Sequence, residues 1–157
     1  MVWTGKQTFD GKNNNYAEIR LSADCNVTEG TWTIWAKPLP FDKYPVNFGK
    51  SKRGGVVYGD LIHLEYTDGH WVLGGQENPQ WFYYQGPKAS GKWDHLAIVW
   101  KNSIIRFFVN GKEVIKPTGP FKLLNEFGYD SYYKCFNFRI GLLVPAWKNP
   151  CPFAGEL

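Results

Sequence analysis

Apolar and polar residues alternate with a period of two over much of the chain, the pattern of strands that bury one face. Tyr16, Glu18 and Arg20 alternate with Ala17, Ile19 and Leu21. Thr31, Thr33 and Trp35 alternate with Trp32, Ile34 and Ala36 up to Pro38, whose missing N–H cannot extend a ladder. Val56–Tyr58 and Leu61–Tyr66 follow, and Thr67-Asp68-Gly69 turns the chain into His70–Leu73. Glycine suits that turn because it accepts positive φ. Trp93, His95, Ala97 and Val99 alternate with Leu96, Ile98 and Trp100, both sets apolar enough for a central sandwich strand. Lys101-Asn102-Ser103 leads into Ile104–Val109, and Asn110-Gly111 predicts a type I′ turn into Lys112–Ile115. Phe136–Leu143 is the last good strand, and Pro145, Pro150 and Pro152 interrupt the tail. The best helical stretch, Lys122–Phe127, is short. Roughly ten to thirteen strands are too many for one flat sheet, so the pattern predicts two packed antiparallel sheets.

Composition narrows this to an all-β single domain. A chain of 157 residues has room for one ordinary domain. With 43% hydrophobic and 20% charged residues it is neither disordered nor a fibrous repeat. Apolar runs such as Leu96–Trp100 are far shorter than the roughly 20 residues that cross a bilayer, which argues against membrane insertion. The net charge of +4 lacks the basic face of a nucleic-acid binder. Its one dense basic stretch, Lys50–Arg53, precedes Gly54-Gly55 and reads as an exposed loop. Cys25, Cys135 and Cys151 allow at most one disulfide, lack metal-site spacing, and fit a reducing site of synthesis. Met1–Gly11 has no apolar signal core, so the expectation is synthesis in a cytosol with the sequon Asn26-Val27-Thr28 unused.

Six phrases, in order, resemble the laminin-G-like, concanavalin A-like lectin-glucanase jelly-roll superfamily. Phe9-Asp10-Gly11 with Tyr16–Ile19 is similar to its opening strand pair, and Thr31–Pro38 to its next core strand. Trp93–Trp100 resembles the Trp-x-His-Val-Ala strand, and Ile105–Gly111 its partner hairpin. Phe138–Gly141 and Pro152–Leu157 resemble the closing strands. The resemblance implies one concanavalin A-like jelly-roll β-sandwich over residues 1–157. Two departures matter. The family continues past the Phe-x-Gly phrase into another strand whereas this chain stops at Leu157, which predicts an open edge for a partner. Lys12-Asn13-Asn14-Asn15 replaces the family's acidic pair and weakens a structural calcium site, so no cofactor is expected.

Enzymes of this fold carry a Glu-x-Asp-x-x-Glu run, which is missing here. Asp24/Glu29, Glu65/Asp68 and Glu126/Asp130 are offset wrongly for a retaining pair and read as turn and cap carboxylates. His95 reads as a packed structural histidine, while His63 and His70 flank a hairpin and are expected to face each other across it. The aromatics point elsewhere. Trp, Tyr and Phe make up 18% of the chain, more than a core this size hides, and Trp81-Phe82-Tyr83-Tyr84 puts four rings in a row. Sugars present C–H faces that stack on such rings while amides take their hydroxyls. The candidate carbohydrate site is therefore Tyr66, Trp71, Gln76, Asn78, Trp81, Tyr83, Tyr84 and Gln85. The expected function is a non-catalytic module binding a glycan or another cell-surface polymer. The absence of an export signal suggests display on a phage virion, as head decoration or tail-fibre module, or as part of a longer extracellular protein. The alternative is a structural subunit whose aromatics and open edge contact capsid or tail proteins or further copies of itself. A glycoside hydrolase is the remote alternative.

Overall fold

The structure is a computed structural model and describes residues 5–12, 15–22, 29–45, 49–59, 62–77, 80–101, 104–115, 129–130, 135–143 and 150–157. Fifteen strands lie among them. In chain order they are β1 (Thr8–Asp10), β2 (Ala17–Ser22), β3 (Glu29–Pro38), β4 (Arg53–Tyr58), β5 (Ile62–Thr67), β6 (His70–Glu77), β7 (Gln80–Lys88) and β8 (Asp94–Lys101). There follow β9 (Ile104–Val109), β10 (Lys112–Ile115), β11 (Tyr129–Asp130), β12 (Cys135–Ile140), β13 (Leu142–Leu143), β14 (Cys151–Pro152) and β15 (Ala154–Glu156). One sheet has the order β1-β15-β3-β8-β9-β10; a second runs β11-β12-β4-β5-β6-β7, with β2 also paired to β12; β13 and β14 form a separate antiparallel pair. All these pairings are antiparallel. The expected two-sheet β-sandwich is therefore present. Among the described residues no helix is long and apolar enough to cross a membrane; the helical expectation at Lys122–Phe127 lies outside them.

The core between the sheets is built from the inward set of each alternation. Trp32 of β3 meets Phe138 of β12 edge-on at 4.7 Å and Trp100 of β8 at 5.6 Å, locking the two layers together. A polar contact also crosses the core: the Trp71 indole N–H on β6 donates to Asp94 Oδ2 on β8 at 2.8 Å. The turns follow their chemistry. Asp68-Gly69 and Asn110-Gly111 each place two consecutive residues at positive φ (48° and 88°, 52° and 75°), which a two-residue hairpin requires to match the strand twist.

Three local expectations need correction. The edge predicted to be open beside the chain end is closed, because β15 pairs with β1 on one side and β3 on the other. Gln7 and Leu157 extend this ladder with two reciprocal backbone hydrogen bonds of 3.0 Å. The chain thus supplies its own strand at that edge. The basic stretch is not wholly a solvated loop either: Arg53 opens β4 and carries its guanidinium into an ion pair with Glu65. His63 and His70 do not face each other, since His63 sits opposite Gly74 and His70 opposite Thr67.

Candidate functional site

Alternation along β5 sends Ile62, Leu64 and Tyr66 into the core and leaves His63, Glu65 and Thr67 on the outer face of the seven-stranded sheet. Register then sets what stands beside them. One rung runs Tyr58, His63, Gly74, Tyr83 across four strands, and the next runs Gly55, Glu65, Val72, Gln85. Gly74 leaves a gap in the first rung that the His63 ring fills. The result is a row of rings, with His63 at 6.0 Å from Tyr58 and 5.8 Å from Tyr83.

A polar layer supports that row. Arg53 Nε donates to Glu65 Oε2 at 2.7 Å, and the Thr67 hydroxyl donates to Glu65 Oε1 at 3.0 Å. The guanidinium carbon of Arg53 also lies 5.5 Å from the Tyr83 ring centre, a cation–π contact. Burial pushes the Glu65 carboxyl up, and Arg53 and Thr67 draw it back down. Burial, with the Arg53 charge adding to it, drives His63 down to about 3. His63 is therefore a neutral imidazole near neutral pH, and its 3.7 Å approach to Glu65 is not an ion pair. Cys151, packed with Tyr58, is a buried thiol that burial pushes up to about 11. Among the described residues no three His, Cys, Asp or Glu side chains converge as a metal site.

The expected site residues separate sharply. Tyr83, 49% exposed, and Gln85 stand on the outer face. Tyr84 points the other way and packs, half-buried, against the core beside Phe82. Tyr66 and Trp71 are core residues and offer no ring to a ligand: Tyr66 stacks on Tyr44 at 4.5 Å and meets Trp71 at 5.8 Å. Their assignment to the ligand face is corrected on that ground. Gln76 and Trp81 occupy paired register positions in β6 and β7, but their side chains, like all of Asn78, lie outside the described residues.

Sequence reasoning missed Arg53, His63 and Glu65 as one unit. Glu65 is no turn carboxylate, and of its presumed pair only Asp68 sits in the turn, accepting from the Lys52 backbone N–H. The signal was the alternation itself, with His63, Glu65 and Thr67 as the second face of an otherwise apolar strand. Glu29 is also a strand residue, paired with Lys101 at 3.0 Å; Asp24 and Glu126 lie outside the described residues. His95 lies on the other sheet, half-buried, with its ring packed 5.0 Å from Trp35.

Residues 10–133 match the family model Laminin_G_3 of the concanavalin A-like lectin/glucanases superfamily, and the chain belongs to that family. Among curated proteins none matches the chain in sequence. Solved structures share the fold. A sialidase carbohydrate-binding module of Ruminococcus gnavus, bound to α2,3-sialyllactose, superposes with a TM-score of 0.58 at 12% identity, over 97% of this chain and 87% of that one. Domain 4 of an extracellular arabinanase from Geobacillus stearothermophilus, in complex with arabinotriose, gives 0.53 at 18% identity over 95% and 77%. Domains LG4-5 of the mouse laminin α1 chain give 0.55 at 18% identity; 97% of this chain is covered, and it spans 39% of that fragment.

Proposed function

We propose that this chain, acting as one jelly-roll domain over residues 1–157, is a non-catalytic carbohydrate-binding module whose ligand stacks on Tyr83. The observation that carries the reading is the half-exposed Tyr83 ring on the outer sheet face, braced by His63 and Arg53. A ring held in place before binding loses little entropy when a sugar arrives. Gln85, two residues along the same face, supplies an amide for the sugar hydroxyls. Likeness to sugar-bound modules in other proteins supports the ligand class. The non-catalytic part rests on Glu65, buried and committed to Arg53 and Thr67, which leaves no free carboxylate at Tyr83 among the described residues to act as acid or nucleophile. Display on a phage virion is the setting we attach to this reading, from the sequence resemblance.

The test is a glycan array probed with wild type, Tyr83→Ala and Gln85→Ala, each checked for folding by circular dichroism. Loss of signal in folded Tyr83→Ala is expected. Undiminished binding by that variant, or no binding by the wild type, overturns the site.

A further inference from the structure

The outer face of the six-stranded sheet carries a second group of side chains that a ligand on Tyr83 does not use. Trp35 of β3 is 57% exposed, and its ring packs at 5.0 Å against His95, the residue opposite it on β8. Two residues before His95 stands Trp93, also exposed. Two residues after Trp35, on the same face, Lys37 stands opposite Glu156 of β15 and bridges it at 3.4 Å. Lys6 pairs with the other oxygen of Glu156 and brings its ammonium to 5.9 Å from the Trp93 ring centre. The reciprocal backbone bonds between Gln7 and Leu157 hold Lys6 beside β15. These six side chains close a circuit. Two exposed indoles and an imidazole form one side, and a lysine–glutamate–lysine network forms the other.

The size and chemistry of the circuit select its ligand. Three neighbouring strands, β15, β3 and β8, make it about 10 Å wide, and two residues along them make it about 7 Å long. That suits a small molecule and is far below the area of a protein interface. Exposed indole faces take C–H surface. The network beside them carries both signs in one contact, because the lysines only donate and the carboxylate only accepts. Bonds from Lys6 and from Lys37 hold the Glu156 carboxyl below its usual range, so it stays an ionised acceptor. An anion placed here meets Glu156, and a cation meets Lys6 and Lys37. A hydroxyl both donates and accepts, and it is satisfied by either.

The geometry points to a second saccharide site on this face, with a neutral sugar stacked on Trp35 and Trp93 and its hydroxyls on Lys37 and Glu156. It lies on the opposite sheet from Tyr83 and rests on none of the residues there. With the ligand held from one open side only, binding is weak and is read in solution at millimolar sugar, which a washed array does not retain.

Heteronuclear NMR tests this, since each of the eight tryptophans supplies its own indole N–H signal. Cellotetraose, maltotetraose, mannotetraose and chitotetraose are titrated in turn. At least one should move the Trp35 and Trp93 signals while that of the buried Trp71 stays in place. Trp35→Ala, at an exposed position and checked by circular dichroism, should weaken binding about tenfold, as loss of a tryptophan anchor does. Trp93→Ala serves as the second variant and should weaken it likewise. Tyr83→Ala should leave the shifts of Trp35 and Trp93 unchanged, whether or not it abolishes binding on the array. Signals of Trp35 and Trp93 that stand still with all the sugars overturn the inference, as does affinity unchanged in both folded tryptophan variants. Shifts that vanish in Tyr83→Ala and persist at other residues in Trp35→Ala would assign all binding to the Tyr83 face, and also overturn it while leaving that reading intact.

Discussion

The imidazole of His63 occupies the space that a side chain on Gly74, its cross-strand partner, would need. The ring row from Tyr58 to Tyr83 exists only because that strand position is empty. Gly74→Ala forces His63 aside and, as an overpacked buried site, should destabilise the protein by about 1–3 kcal/mol. Urea denaturation reads this directly. An unchanged midpoint would show that the ring swings away freely and does not brace Tyr83.

Acid should reveal His63. Its folded-state value of about 3 lies below the 6.5 of an unperturbed histidine, so the unfolded chain binds more protons between the two. The contribution to stability is fully present above about pH 6.5 and falls by up to about 1.4 kcal/mol per unit as pH drops towards 3. Glu65, pushed up by burial, acts with the opposite sign. The comparison is therefore between wild type and His63→Leu, unfolded in urea at a series of pH values from 7 to 5. The variant should lose stability less steeply, and parallel slopes would refute the assignment.

Asp94 ties the sandwich together at one point. Its Oδ2 accepts from the Trp71 indole and the Ser90 backbone N–H, and its Oδ1 from the Asn110 amide. Burial alone would raise its carboxyl, but these bonds hold it below the usual range. Asp94→Ala strands a buried indole N–H and should cost about 2–3 kcal/mol. Trp71→Phe should cost less in that background than alone. Full additivity of the two would mean that the bond carries no energy.

These features differ in how far the chain's own pattern exposes them. The sheets were legible because hairpins such as Asn110-Gly111 and the alternation of β3 and β8 are local and agree with one another. What alternation does not say is which of its two faces is covered by the other sheet. Tyr66 and Trp71 share a hairpin with the outward His63 and Glu65, and only the register across β4 to β7 separates core rings from ligand rings. Arg53 was hidden for a related reason: its partner lies twelve residues away, and its neighbours Lys50 and Lys52 describe a loop.

The Arg53–Glu65 pair separates a binding scaffold from a catalytic centre. With Arg53 mostly covered and Glu65 buried, removing one charge leaves the other uncompensated. Glu65→Gln should therefore cost about 3–5 kcal/mol, whereas Arg53→Met with Glu65→Leu should recover much of that loss, because a buried pair replaced whole by apolar groups is often neutral. Ligand affinity should follow a different course. Both variants disturb the cation–π brace on Tyr83, so each should bind glycan more weakly, and the stabilised double variant should not regain affinity. Equilibrium unfolding and glycan titration of the same three proteins check this. Turnover of a polysaccharide by the wild type, lost in a folded Glu65→Gln that still binds, would contradict the non-catalytic reading and make Glu65 a reacting group.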